Sequence, residues 1–337
     1  MKFRTRLAAG VVACIAAVFA ITAATAVAAP AASTAGTLKV GLVTDIGGLN
    51  DHGFNHLAYL GLQKAAKQLH VQTRVLESHA NSDYIPNLST LAQQGYNLVI
   101  AVGFLMYDSV KTAAQQFPNT KFMIIDNGWS KGDPSNLEGT LFHEQEAGYL
   151  VGYLSGLLYP AKGATFGTVG GQKIPPVDRY IAGFQAGVKA VNKKAKLLNG
   201  YSQDFVAQDK CKNLALQQIQ QGAKVVFQVA GGCGLGALDA AKQKHVWGIG
   251  VDADQAYVGS QVLTSAMKRV DNDVFTTIKQ VQAGQFKGGS TYEFTLKNGG
   301  IGLGKVSKKV PKALVAKVTA VEKKIASGKI KIPTTVK

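Results

Sequence analysis

The chain has 337 residues, 37 Lys and Arg against 20 Asp and Glu, and a formal net charge of +17. Apolar residues make up 46% of the chain and Gly contributes 38 residues, which excludes a disordered or collagen-like protein and allows a large core. At roughly 100–200 residues per domain, this length suggests two domains.

The first 28 residues read as a targeting segment. A basic start (Lys2, Arg4 and Arg6) precedes an uncharged, apolar run over residues 7–29, which contains Ala26-Val27-Ala28 as a cleavage site. We therefore predict a cleaved signal peptide over residues 1–28, with an uncleaved membrane anchor as the alternative. Lipid attachment at Cys14 is a weaker alternative, because the apolar run before this cysteine is short. The mature protein is expected outside the cytoplasm: secreted, periplasmic or cell-envelope associated.

Apolar runs and amphipathic segments alternate along the rest of the chain. In the first half this pattern predicts strands over 38–44, 72–77, 97–102 and 121–125, and helices over 54–69, 84–94 and 109–116. In the second half it predicts helices over 144–158, 180–191 and 210–221, and strands over 165–169, 197–201, 225–229 and 246–251. Such alternation is typical of parallel βαβ units.

A weak internal repeat indicates two lobes rather than one large sheet. Gly47-Gly48 and Gly170-Gly171 each follow a predicted strand and precede a predicted helix. We predict a lobe boundary near residues 136–142. Because ligands of open α/β sheets bind beyond the carboxyl ends of the strands, two such lobes would form a cleft.

Four aspartates follow predicted strands: Asp45, Asp126, Asp252 and Asp254. Carboxylates at this edge would repel a phosphate and suit hydroxyl or amine donors, which favours a neutral, polyol-bearing ligand over a nucleotide. The alternative is that one or two of them cap helices. Phe54 and Phe205 fall in loops, where they can sandwich a flat ring or pack against their own lobes.

Cys211 and Cys233 are the two cysteines beyond the signal segment. In an oxidising compartment an even count suggests a disulfide. Cys211 begins a predicted helix and Cys233 follows the next predicted strand, so both lie at one sheet edge and a bridge is geometrically possible. Two free buried thiols are the alternative.

The basicity is concentrated near the C-terminus, where residues 285–337 hold twelve Lys and two Glu. The segment has no Arg cluster and its aromatics stop at Phe294. We therefore expect a solvated lysine-rich face, able to hold the protein near an anionic envelope, rather than nucleic-acid binding.

Signatures of cofactors and catalysis are weak. Gly232-x-Gly234-x-x-Ala237 with Asp252 formally matches a dinucleotide fingerprint, but a secreted protein has little access to that cofactor. His52 and His56 lack an evident third metal ligand. We expect no cofactor, no metal and no enzyme activity, although a carboxylate pair for hydrolysis remains an alternative.

The residues resemble the basic membrane protein family, the substrate-binding proteins of ABC transporters typified by purine-nucleoside-binding lipoproteins. The resemblance spans about residues 38–333. Its motifs are Gly41-Leu42-Val43-Thr44-Asp45, Gly53-Phe54-Asn55, Gly183-Phe184-x-Ala186-Gly187, Ala230-Gly231-Gly232-x-Gly234-Leu235-Gly236 and Ile249-Gly250-Val251-Asp252-x-Asp254-Gln255.

By this resemblance the fold is α/β, a type I periplasmic-binding-protein fold with two doubly wound parallel-sheet lobes joined by a hinge. Lobe 1 would comprise residues 37–140 plus about 263–285. Lobe 2 would comprise 141–262 plus about 286–337.

The resemblance also implies the ligand-binding residues. Asp45, Phe54 and Asn55 would meet the base, and Phe205 would stack on its other face. The residues on the ribose side would be Asp126, Gly231, Asp252 and Lys268. The sequence departs from the family's pattern at His52-Gly53, where Lys-Ser is usual, in the loose segment 204–209, and at Cys211 and Cys233.

The resemblance implies a monomeric extracytoplasmic receptor that captures a purine nucleoside by hinge closure and delivers it to an ABC transporter permease. Three alternatives remain open. The same fold could bind another heterocycle or a sugar, the protein could be a secreted hydrolytic enzyme such as a nucleosidase, or it could be a sensor reporting to a membrane kinase.

Overall fold

A computed structural model of the protein describes residues 37–336. The signal peptide predicted over residues 1–28 and the alternative lipid site at Cys14 lie outside these residues. Between residues 37 and 336, no helix is both long and apolar enough to cross a membrane.

Strands and helices alternate through most of residues 37–336. The strands are β1 (Lys39–Val43), β2 (Gln72–Leu76), β3 (Leu98–Ala101), β4 (Lys121–Ile125), β5 (Leu137–Phe142), β6 (Thr165–Gly170), β7 (Lys196–Tyr201), β8 (Ala223–Val229), β9 (Trp247–Asp252), β10 (Val262–Lys268), β11 (Ser290–Phe294) and β12 (Ile301–Leu303). The helices are α1 (Phe54–Leu69), α2 (Tyr84–Gln93), α3 (Tyr107–Gln116), α4 (Glu144–Leu158), α5 (Pro175–Val191), α6 (Gln208–Gln220), α7 (Gly234–Gln243), α8 (Val270–Gln282) and α9 (Lys312–Ala326).

The strands form two six-stranded sheets, one in each lobe. The first has the order β11-β5-β4-β3-β1-β2 and is parallel throughout. The second has the order β12-β10-β9-β8-β6-β7, and its edge strand β12 is antiparallel. Chain order reverses between β1 and β3 and again between β6 and β8. These reversals are the points at which open α/β sheets bind ligands.

Helices cover both faces of each sheet, which explains why the central strands are apolar on both sides. In β3, Leu98 and Ile100 join the core beneath α1 and α8, whereas Val99 and Ala101 join the core beneath α2 and α3. In the second lobe α4 and α5 pack closely together, and α6 packs on α7. The buried face of α1 includes Ala58, Leu62 and Ala65, the i, i+4, i+7 spacing of an amphipathic helix.

Three connections join the lobes: β5 to α4, β10 to α8, and β11 to β12. Two backbone hydrogen bonds link the first and the second of these connections to the third. The His143 N–H donates to the Phe294 carbonyl over 2.8 Å, and the Arg269 N–H donates to the Gly300 carbonyl over 2.9 Å. The lobes are therefore linked by a hinge of paired segments.

The lobe limits differ from those expected from the sequence. Residues 263–268, assigned there to lobe 1, belong to β10, which pairs with β9 in the second sheet. Residues 290–294, assigned there to lobe 2, form β11, which pairs with β5 at the edge of the first sheet. The segment expected as a boundary, 136–142, contains β5, a strand of the first sheet. The chain therefore changes lobe after β5 and again after β10, because each of these strands pairs within the sheet of the lobe that it leaves.

Glycines allow α4 and α5 to approach closely. A Cβ at Gly148 or Gly152 on α4 would overlap the backbone of α5, and a Cβ at Gly183 or Gly187 on α5 would overlap the backbone of α4. Because backbone atoms lie opposite these positions, no side chain can rotate away to make room. This contact fixes the position of α5, whose first turns face the cleft.

We predict that Gly152→Ala lowers the free energy of unfolding by about 1–3 kcal/mol, because its methyl group would meet the Phe184 carbonyl and force the helices apart. Urea unfolding followed by circular dichroism measures the change. Gly302→Ala is the control, since a Cβ there meets nothing within 4 Å. Equal stability of the two variants would contradict this packing.

Candidate functional site

A cavity with about 550 Å³ of empty space, including its mouth, opens between the carboxyl ends of the two sheets. All eight of the ligand-binding residues expected from the sequence line it: Asp45, Phe54, Asn55 and Asp126 from lobe 1, and Phe205, Gly231, Asp252 and Lys268 from lobe 2.

The lobe 1 side is organised by Asp51, which sequence reasoning did not name as a site residue. Its carboxylate accepts the N–H groups of Gly53, Asn55 and His56 over 2.9, 2.7 and 3.1 Å and thereby caps α1. The cap places Phe54 and Asn55, the first residues of α1, at the cavity.

Asn55 orients Asp45, which follows β1. The Asn55 amide nitrogen donates to Asp45 Oδ1 over 2.8 Å and to Asp51 Oδ2 over 3.2 Å. The Gly47 N–H also donates to Asp45 Oδ1, over 2.8 Å. Within residues 37–336 no hydrogen bond is made to Asp45 Oδ2, so this oxygen is an available acceptor at the cavity. Burial raises the pKa of Asp45 to about 6 against the opposing effect of these hydrogen bonds.

Asp252 is the corresponding carboxylate of lobe 2. It ends β9 in a left-handed conformation (φ 61°), and Asp126, just after β4, has the same conformation (φ 73°). Asp is among the few non-glycine residues found there with any frequency. The Tyr180 hydroxyl donates to Asp252 Oδ1 over 3.2 Å. Burial raises the pKa of Asp252 to about 7.

Lys268 is a buried cation at the end of β10, with 2% of its surface exposed. Its Nζ lies 2.6 Å from Asp126 Oδ1 and 3.1 Å from Glu144 Oε1, and Arg179 pairs with the other oxygen of Glu144. Burial disfavours the charged form of Lys268, but the carboxylates of Asp126, Glu144 and Asp252 hold its pKa above the usual value. The Asp126–Lys268 pair joins the two lobes across the cavity, and two carboxylates share the charge of Lys268.

The aromatic rings come from different lobes and are both half-buried. Phe54 lies beside Gly103, where a Cβ would be 3.3 Å from the ring. The ring of Phe205 lies against Gly171, where a Cβ would overlap it. Lys268 Nζ is 4.8 Å from the centre of the Phe54 ring. Each lobe therefore places such a ring at the cavity, and Phe104 and Tyr180 line it as well.

Asp254, which was expected at the cleft, lies elsewhere, and the cavity contains further residues that the sequence did not predict. Asp254 is not among the cavity residues, because its carboxylate accepts the N–H groups of Ala256 and Lys305 and so caps a short turn. Sequence reasoning missed the wall formed by Ile174, Pro176, Val177 and Tyr180. The signal available was Pro175-Pro176 opening a helix after Gly170-Gly171.

Cys211 and Cys233 form a disulfide, with Cα atoms 5.6 Å apart. His52 and His56 place their rings 6.5 Å apart. No cluster of three or more potential metal ligands occurs between residues 37 and 336.

Comparisons with known proteins agree with this architecture. Residues 38–336 match the family described as ABC transporter substrate-binding protein PnrA-like. The chain is 35% identical to the CD4+ T-cell-stimulating antigen of Listeria monocytogenes, with 87% of each chain covered. It is 32% identical to the ABC transporter nucleoside-binding protein BmpA of Lactococcus lactis, covering 88% of this chain and 89% of the relative.

A solved structure has the same fold. A solute-binding protein of an ABC transporter system from Aeropyrum pernix superposes with a TM-score of 0.80 at 27% identity, covering 89% of this chain and 94% of that one. The α/β fold expected from the sequence, of the type I periplasmic-binding-protein class, is thereby confirmed.

The raised pKa of Asp252 predicts a dependence of stability on pH. Burial raises this pKa from 3.8 to about 7, so the unfolded chain loses the proton at a lower pH than the native protein does. The contribution of Asp252 is fully present below about pH 4 and is lost at up to about 1.4 kcal/mol per pH unit as the pH rises towards 7. Asp252→Asn cannot ionise and should lack this loss, which urea unfolding at several pH values measures.

Tyr180→Phe is the matched variant. Because the Tyr180 hydrogen bond lowers the pKa of Asp252, its removal should extend the loss of stability to higher pH. Parallel pH profiles for the wild type and Asp252→Asn would show that Asp252 does not titrate in this range.

Proposed function

The chain belongs to the family of PnrA-like ABC transporter substrate-binding proteins, and from that premise we propose that it captures a purine nucleoside between its lobes and delivers it to a transporter permease. One observation carries the choice of ligand: the cavity combines a ring from each lobe with carboxylates that have available oxygens, while its lysine is already paired.

The charge of the cavity supports a nucleoside over a nucleotide. Asp45, Asp126 and Asp252 line it, whereas Lys268 is held by Asp126 and Glu144. A phosphate would meet four carboxylates, since Asp51 also lines the cavity, with no uncommitted cation among the lining residues in the described part of the chain. Ribose hydroxyls, in contrast, can donate to a carboxylate oxygen. Asp252 is the proposed acceptor of a ribose hydroxyl, and Gly231 allows the sugar to approach the backbone.

The two rings support a flat, unsaturated ligand. Phe54 and Phe205 belong to different lobes, so a base stacked between them is held only when the cleft is closed. Stacking on an aromatic side chain contributes roughly 1–3 kcal/mol per base. Asp45 Oδ2 is the proposed acceptor for a donor on the edge of the base. The relative from Lactococcus lactis, which is named as a nucleoside-binding protein, supports the same ligand class.

Ligand contacts from both lobes would stabilise the closed form, which the permease would recognise. In this scheme the receptor is a monomer, works outside the cytoplasm after removal of its signal peptide, uses no cofactor and returns the nucleoside unchanged. A nucleosidase would instead release a free base, so chromatography of inosine after incubation distinguishes the two.

We predict that inosine, guanosine or adenosine raises the midpoint of thermal unfolding of residues 37–337, whereas AMP and ribose do not. A ligand at about 100 times its dissociation constant stabilises by roughly 2.7 kcal/mol, which shifts the midpoint by several degrees. Cytidine and hypoxanthine test the size of the base and the need for ribose. No shift with any nucleoside would refute the proposed ligand, and a shift with AMP would refute the charge argument.

We also predict that Phe54→Ala and Phe205→Ala each weaken inosine binding by about 1–3 kcal/mol, because each variant removes one stacking surface. Isothermal titration calorimetry provides the affinities. Phe117→Ala, which follows α3 outside the cavity, is the control and should bind as the wild type does. A loss confined to one of the two cavity variants would exclude the other ring from the site.

A further inference from the structure

The loop that carries Phe205 is held by contacts from its own lobe. The N–H groups of Ser202 and Gln203 donate to the Gly170 and Gly171 carbonyls over 2.9 and 3.0 Å. These bonds fix the start of the loop to the end of β6. Past Phe205, the Asp204 carboxylate accepts the N–H groups of Val206 and Ala207 and pairs with Lys210.

The residue at the centre of the loop is fixed by Cys233. The Cys233 N–H donates to the Phe205 carbonyl over 2.9 Å. Gly231 lies on the same side, where a Cβ would be 3.3 Å from that carbonyl oxygen. Cys211, in the first turn of α6 that follows the loop, is bonded to Cys233. The disulfide therefore connects Cys211, which follows the loop, to Cys233, whose N–H holds the Phe205 carbonyl at the centre of the loop.

Both cysteines are fully buried, among Val169, Ala215 and Ala237. The bridge is thus not placed for contact with solvent or ligand. The bridge acts locally. The chain leads from Phe205 to Cys211 in α6, the disulfide joins Cys211 to Cys233 just before α7, and the Cys233 N–H bonds back to the Phe205 carbonyl. Lobe 1 makes none of these contacts, so the ring can be in position before the cleft closes.

Resting on the proposed function, we propose that Cys211 and Cys233 are positioning residues for nucleoside binding: their disulfide pre-orders the Phe205 loop so that the ring is a ready stacking surface in the open receptor. Without the bridge, α6 and α7 can separate slightly and the loop must be ordered when the ligand binds. Ordering a loop and an aromatic side chain at that moment weakens binding.

The test compares three forms of the protein with inosine as the ligand: the oxidised wild type, Cys211→Ala/Cys233→Ala, and wild type refolded with a reductant, which keeps both sulfur atoms in place. We expect about a tenfold loss of affinity without the bridge. Val318→Ala on α9 is the control for lower stability of lobe 2 alone, and it should keep its affinity for inosine.

A double-mutant cycle separates positioning from general destabilisation. In the bridge-free protein Phe205→Ala should cost much less than in the wild type, because the ring is no longer pre-ordered, whereas the cost of Phe54→Ala should be unchanged. Unaltered affinity, or equal changes in the two costs, would overturn the proposal.

Amide hydrogen exchange of the ligand-free protein gives a readout that needs no nucleoside. Without the bridge, the amides of residues 206, 207 and 233 should exchange faster, while those of β6 keep their protection. Unchanged protection in the loop would overturn the proposal even if inosine does not bind. Failure of all nucleosides to bind, with faster loop exchange, would refute the ligand but leave the role of the bridge in ordering the loop.

Discussion

The ion pair between Lys268 and Asp126 is the interaction on which the cavity depends. It joins the end of β10 in lobe 2 to the end of β4 in lobe 1 and is shielded from solvent. Two buried charges are costly to desolvate, so such a pair is tolerated only with further partners. Glu144 and Arg179 supply them from α4 and α5. In this arrangement of the lobes the ion pair belongs to a buried charge network, which separation of the lobes would expose to water.

Each lobe directs a carboxylate to the cleft by the same means, an aspartate with positive φ at the end of a strand. The β4 and β9 strands occupy equivalent places in the two sheets, and each leads into an aspartate with positive φ, Asp126 and Asp252. The turn directs both carboxylates to the cleft. Their partners make them different: Asp126 faces an ammonium, whereas Asp252 faces a phenol hydroxyl and keeps a raised pKa. Asp126 thus takes part in the ion pair between the lobes, whereas Asp252 Oδ2 accepts no hydrogen bond within residues 37–336.

Local pattern was enough to predict much of the fold. Residues 54–69 and 144–158 are helical as predicted, because the apolar spacing that signals a helix acts over a few residues. Local pattern did not predict the strand β10, because its buried Thr264, Ser265 and Lys268 weaken the apolar signal. Position relative to the predicted strands singled out Asp45, Asp126, Asp252, Phe54 and Phe205, and the family resemblance added Asn55, Gly231 and Lys268. Glu144 was missed as a partner of Lys268, and Arg179 as a partner of Glu144, because contacts between residues so far apart leave no local pattern.

The chain as a whole carries a positive charge, whereas most of the charged side chains that line the cavity are carboxylates. The net charge therefore does not indicate the charge of the ligand that the cavity favours. The chain carries a net charge of +17, and its lysine-rich C-terminal segment is largely exposed. A purely electrostatic view would assign it an anionic ligand. At physiological salt, however, charges on the surface are screened over about 8 Å. The field inside the cleft is set by Asp45, Asp126 and Asp252 beside a lysine that is already paired. The sign of the charge at the cavity is therefore a local property, which the net charge of the chain does not reveal.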